Sequence, residues 1–267
     1  MLLLHGMIAT MKKIFIIVFM LLLQTGCATV ENDFDPLESS NRAVDSFNTG
    51  LDEVALRPVS KAYTAVIPPA FRTATTNFFE NLLIPNTIVN DLLQGKLDAS
   101  IKDTYRFVIN STLGIFGLID VAHYTGVPKH KEDFGQTLAV WGVDQGAYLV
   151  YPLLGPNSVR NTPGTIMEYV LDGATYLSLV LSPEAVIGVT ILKYVDIRAN
   201  LEDAVNMRDA MALDAYVFTR EAWRQSREYS IYDGHPPASV SQDDDDEFSD
   251  DFDDDFDDDF EDDFASE

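Results

Sequence analysis

Between Asn32 and Asp233 apolar residues recur at three- and four-residue steps, and strand-like alternation is almost absent, which predicts a mainly α protein built from many short helices. Val44, Phe47, Leu51 and Val54 mark one apolar face after Asn41. Arg57-Pro58 ends that helix and opens another, because proline is accommodated in a first turn but not in a helix interior. Phe71, Phe78 and Leu82 predict a helix opened by Pro68-Pro69 and closed before Pro85. Ile88, Val89, Leu92 and Leu93 form a short one stopped by Gly95. Leu97, Ile101, Tyr105, Val108 and Ile109 predict an amphipathic helix, and a long helix with mixed faces runs from Asp196 to Glu228. Glycine and proline gather between Gly114 and Gly164, a region expected to run as short helices and turns.

One stretch is too apolar for an ordinary soluble helix. Between Asp172 and Lys193 the only charge is Glu184, directly after Pro183. A broken pair of helices, Ile166–Leu181 and Pro183–Val195, fits better than a membrane span. Two readings stand: a buried core hairpin, or a hairpin touching lipid. Ile166, Tyr169, Leu177, Leu181, Val186 and Ile191 are its candidate contacts.

The N-terminus follows another plan. Lys12 and Lys13 precede the uncharged run Ile14–Leu23, and Gln24-Thr25-Gly26-Cys27 follows, as in a secretory signal over residues 1–26. That run spans only ~15 Å as a helix, half of a bilayer core. Met11 is the natural start, which makes 1–10 an upstream mis-start. Gly26-Cys27 resembles the lipobox of bacterial lipoproteins, in which the cysteine is acylated; Ala28 after it favours outer-membrane export by the same resemblance. Residues 27–34 then form a lipidated linker. The other reading is plain secretion with a chance cysteine.

Charge sharpens the picture. The formal charge is −25, but Asp243–Glu267 carries −17 of it, leaving −8 elsewhere. So acidic a chain is a poor partner for nucleic acid. A single cysteine excludes a disulfide framework and a Cys-rich metal site. Phe248, Phe252, Phe256, Phe260 and Phe264 recur every four residues in the acidic tail, 235–267, whose dense aspartate predicts disorder. It reads either as a solubilising brush or as a segment folding onto a basic surface.

Catalytic chemistry is not visible. His123, His130 and His235 show no metal-binding spacing, and neither a nucleophile elbow nor a phosphate-cradling glycine loop is present. His123 and His130 flank a loop with Lys129, Lys131, Glu132 and Asp133, which reads as solvated surface. No cofactor is expected beyond acyl chains on Cys27, and no enzyme activity.

Several segments in one order resemble the MlaA (VacJ) family of outer-membrane phospholipid-transport lipoproteins. They are Asp35-Pro36-Leu37-Glu38 with Asn41-Arg42 and Phe47-Asn48, Arg57-Pro58-Val59, Asn77-Phe78 with Asn81-Leu82 and Pro85, and Leu93-Gln94-Gly95. Arg106-Phe107, Asn110, Leu113-Gly114, Gly117, Ile119-Asp120-Val121-Ala122, Phe134-Gly135, Thr137-Leu138, Gly142-Val143, Gly146, Tyr148, Pro152 and Arg220-Glu221-Ala222 continue the match, which covers 35–234. Asn161 stands where an Asp commonly follows the arginine, Arg160. The resemblance implies a ring-shaped, membrane-embedded single domain in the inner leaflet of the outer membrane, with a central amphipathic channel. Misplaced phospholipid would enter from the outer leaflet and pass to a soluble periplasmic lipid carrier, while a trimeric porin holds the ring. Asn41, Phe47 and Asn48 fall in a segment expected to affect the channel, and Gly164–Lys193 where the family has a channel-shaping hairpin. The rival expectations are a structural lipoprotein that braces porins without moving lipid, and a lipid hydrolase, which the missing nucleophile motif disfavours.

Overall fold

The computed structural model describes residues 35–177 and 179–237. The signal segment, the acylation candidate Cys27, the linker and nearly all of the acidic tail therefore lie outside the described residues. Helix α1 (Glu38–Leu51) runs through one π-helical turn (Asp52–Leu56) into α2 (Arg57–Val66) without the break expected at Arg57-Pro58. The Arg57 N–H reaches back five residues to the Asp52 carbonyl, and this widened turn takes in a proline that an α-helix would reject.

Helix α3 (Pro69–Gln94) is likewise continuous through Pro85, where the spacing predicts two helices. Proline forgoes only its own bond to the residue four back, and the long packing face of α3 outweighs that loss. Gly95 ends α3 as expected: it adopts the left-handed region, φ 76°, and the Lys96 N–H closes on the Asp91 carbonyl at 2.8 Å. Helix α4 (Leu97–Thr112) then folds back along α3. A turn over residues 113–119 follows. Gly117 there has φ 92°, and a Cβ would come within 2.4 Å of the Asn81 side chain.

Helices α5 (Val121–Tyr124) and α6 (Phe134–Val140) lead to a feature the patterning missed, an antiparallel hairpin of β1 (Tyr148–Tyr151) and β2 (Gly155–Ser158). Helices α7 (Thr162–Leu171) and α8 (Gly173–Leu177) form the first arm of the apolar hairpin, broken at Asp172, and α9 (Pro183–Asn200) forms the second. The expected long helix after Asp196 is in fact three pieces: the end of α9, then α10 (Glu202–Met211) and α11 (Ala215–Ile231). Leu201 and residues 212–214 break it, and the Asp214 side chain caps α11 by accepting the Tyr216 and Val217 N–H groups.

The packing is inverted relative to a soluble domain. Among the described residues, buried polar and charged side chains outnumber buried hydrophobic ones roughly three to one. In α4 the buried stripe is Ser100, Asp103, Arg106 and Asn110, while Leu97, Ile101 and Val108 stand 50–67% exposed. The predicted amphipathic helix is present with its apolar face outward. A small conventional core survives where Val44 of α1, Tyr148 and Val150 of β1, and Tyr216 and Trp223 of α11 meet. Polar links do the remaining tethering: Asp196 of α9 accepts from Tyr63 of α2 (2.9 Å) and Thr76 of α3 (2.8 Å), and Arg198 pairs with Asp52 at 2.6 Å. No helix among the described residues is long and apolar enough to cross a membrane.

Candidate functional site

Helices α3 and α4 pack along each other, and each turns part of its polar face to a common space. Between them, α7, α11 and the loop 127–133 lies a cavity of about 250 Å³, lined chiefly by side chains that carry hydrogen-bonding groups. Asn77, Glu80 and Asn81 come from α3, Arg106 and Asn110 from α4, Glu168 from α7 and Arg227 from α11. Their placement follows from helical spacing. In α3, Asn77 and Asn81 are one turn apart, and Arg106 and Asn110 repeat that step in α4.

These groups are held by one another. Arg106 grips both oxygens of Asp120 at 2.9 Å, and Asn110 donates to the same carboxylate at 2.9 Å while accepting from the Ala122 N–H. Burial pushes the Asp120 carboxyl up, but Asn110 and Arg106 outweigh it and hold it below the usual range. Lys129 and Lys131 clamp Glu80 at 2.6 and 3.0 Å and lower its carboxyl against the same burial. Glu168 has no such clamp, and burial together with Asp133 raises it. Asp133 caps α6 through the Gln136 N–H and pairs with Arg227. Asn161 accepts from Arg227 at 3.3 Å, so the departure from aspartate at this position retains a hydrogen-bond acceptor. Gly164 of α7 lies so close to Gly135 of α6 that a Cβ would meet its nitrogen at 2.7 Å.

The loop expected to be solvated surface is exposed at His123, Lys129 and Lys131, but not at Glu132. Glu132 is 3% exposed, and Gln136, Gln94 and Lys96 all donate to its carboxylate. Burial raises that carboxyl, yet His130, Lys96 and Gln94 bring it down to about 2. His130 is raised to about 10 by its bond to Asp103 and then by Glu132. No local pattern marks these residues, because their burial is created by helices distant in sequence.

The sequence-predicted residues fall outside the lining of this cavity. Asn41 lies inside α1 and not at its cap; it donates to Asp35 (2.8 Å) and the Tyr148 carbonyl (3.0 Å) and accepts from the Val150 N–H (2.9 Å). Asn48 grips the Tyr151 carbonyl and the Leu153 N–H two turns on. Together they bind α1 to the β-hairpin. Phe47 points outward, 57% exposed. Of the apolar hairpin, Ile166, Tyr169, Leu181 and Ile191 are exposed, and Leu177 and Val186 are half-buried. Their neighbours Leu179 and Val180 form an apolar tip at 80% and 84% exposure.

An apolar exterior around a polar interior defines a class: an α-helical protein whose outside is matched to lipid or to an apolar partner and whose polar side chains satisfy one another inside. The comparisons agree. The family model described as MlaA lipoprotein matches residues 33–230, and the chain belongs to that family. The chain is 31% identical over 236 residues to the "Intermembrane phospholipid transport system lipoprotein MlaA" of Escherichia coli (strain K12), covering 83% of this chain and 92% of that one. The protein of that name in Haemophilus influenzae is 30% identical over 79% of this chain and 86% of its own. An uncharacterised protein of Rickettsia felis is 34% identical over 78% of this chain and 81% of its own. A solved structure described as "Structural basis for maintenance of bacterial outer membrane lipid asymmetry" superposes with a TM-score of 0.64 at 31% identity, covering 74% of this chain and 98% of that one.

Proposed function

We propose that this protein is an outer-membrane lipoprotein that draws misplaced phospholipid from the outer leaflet through its polar-lined interior and hands it to a soluble periplasmic lipid carrier. The carrying observation is the inverted packing, with a cavity of about 250 Å³ lined mainly by amide and charged side chains inside a body whose large apolar residues face out. A polar headgroup in hydrocarbon without partners costs several kcal/mol, and paired carboxylates, guanidinium groups and amides supply partners along a path. The apolar outside then accommodates acyl chains, membrane and a trimeric porin. Acyl chains on Cys27 anchor the body, each buried CH2 adding ~0.8 kcal/mol. No bond in the lipid changes, so the protein needs no catalytic group.

The relatives named for intermembrane phospholipid transport support this reading, as does the matching fold associated with lipid asymmetry. A structural lipoprotein bracing porins would use the same apolar exterior but would have no use for the lined cavity. The test is outer-leaflet phospholipid in cells lacking the protein. A rise that the wild-type chain reverses is expected; an unchanged level overturns the proposal.

A further inference from the structure

The His130 imidazole sits between two groups of carboxylates. On its Nε2 side are Glu132 (3.3 Å) and Asp233 (3.7 Å). These already share a cation, because the Lys96 ammonium lies 2.7 Å from both. On the Nδ1 side are Asp103 (2.9 Å) and Asp91 (3.5 Å), which are 2% and 0% exposed. Neither oxygen of Asp91 has a hydrogen-bond partner, although both are buried. Two buried carboxylates face one imidazole, and burial together with the neighbouring Asp103 raises the Asp91 carboxyl, so the pair must hold a proton or a further cation besides the imidazole.

We propose that Asp91, Asp103 and the Nδ1 atom of His130 bind a divalent transition-metal ion, zinc being the ion the donor set fits best. One oxygen from each carboxylate and this nitrogen lie within 4.8 Å of one another. Tetrahedral zinc at ~2.0–2.1 Å from its ligands separates them by about 3.3 Å, and the two nitrogen–oxygen distances here bracket that value. The imidazole favours zinc over magnesium or calcium, which prefer oxygen-only sets. The second coordination sphere is also built. A metal-bound histidine characteristically donates its other N–H to a carboxylate, and Glu132 stands at Nε2, itself fixed by Lys96, Gln94 and Gln136. Entry is available through a cavity of about 670 Å³ lined by Asp103 and His130. The ion would join α3, α4 and the loop 128–132, the walls of the transport cavity.

The test uses the full chain in detergent, stripped with EDTA and titrated with ZnCl2 by calorimetry, with circular dichroism to confirm folding. One zinc per chain is expected. D91N and D103N, which change little in shape, should weaken binding at least ~10-fold, and E132Q, which removes no ligand but loosens the carboxylate that holds His130 Nε2 together with its Lys96, Gln94 and Gln136 contacts, about 10- to 100-fold. The imidazole proton leaves on binding, so the measured heat should vary with the buffer's ionisation enthalpy. Failure of wild-type protein to take up zinc, or equal affinity in D91N, overturns the assignment. Cobalt loading of wild-type protein gives a readout independent of any variant: an intense visible d–d spectrum is expected, and the spectrum of free hydrated cobalt alone contradicts the site.

Discussion

Replacing Asn41 by alanine separates a structural from a transport role for this residue. Its side chain, 4% exposed, occupies the edge of β1 that faces away from β2. Val150 lies opposite Pro156 with its N–H directed away from β2 and onto Asn41 Oδ1. The Tyr148 carbonyl and Asp35 take the amide protons. A two-stranded hairpin is marginal by itself, so this edge needs a partner. N41A strips three hydrogen bonds and leaves a buried strand N–H and C=O unsatisfied, at ~1 kcal/mol per bond plus a desolvation cost. About 3 kcal/mol of unfolding free energy should disappear. N41D keeps the acceptor but sets a second carboxylate against Asp35, and should cost at least as much as N41A. Denaturant unfolding of the full chain in detergent, followed by far-UV circular dichroism, reads both. A loss in N41A below about 1 kcal/mol would refute the structural role.

Further outcomes follow from the same geometry. F47A removes an outward ring and should leave stability in detergent within ~0.5 kcal/mol while weakening association with liposomes or porin in a flotation or pull-down assay. L179D with V180D at the apolar tip should do the same, with lipid transfer lost and unfolding unchanged. D120A leaves Arg106, 3% exposed, without its carboxylate and should cost ~3–5 kcal/mol in the same denaturant assay. In EDTA-treated protein His130 titrates near 10, above its ordinary 6.5, so its stabilising contribution is complete below about pH 6.5 and is lost as pH rises toward 10. Stability measured across that window should fall in wild type and be flatter in H130A.

The helices were legible because their spacing is local, yet which face turns inward was not. Leu97, Ile101 and Val108 announce an amphipathic helix in any solvent, and only the surroundings decide that their side faces out. Pro58 and Pro85 marked breaks that do not occur: a π-turn absorbs the first, and the packing of α3 overrides the second. The strands β1 and β2 were hidden because the Leu153-Leu154-Gly155-Pro156 turn reads as loop and much of the β1 edge is satisfied by asparagines of α1. The cavity was least legible. Asn81, Asn86, Asn90 and Asp91 look in sequence like a solvated face, and their burial depends on α4 and the loop 127–133 arriving over them. Cys27, the proposed point of acylation, lies outside the described residues.

The central claim is tested most directly by following labelled phospholipid from proteoliposomes containing the full-length protein and a porin to a purified soluble carrier. The account predicts transfer by wild-type protein. It predicts loss of transfer when N77W fills the cavity, with unfolding in detergent unchanged within ~1 kcal/mol. Absence of wild-type transfer, or full transfer through the filled cavity, contradicts it.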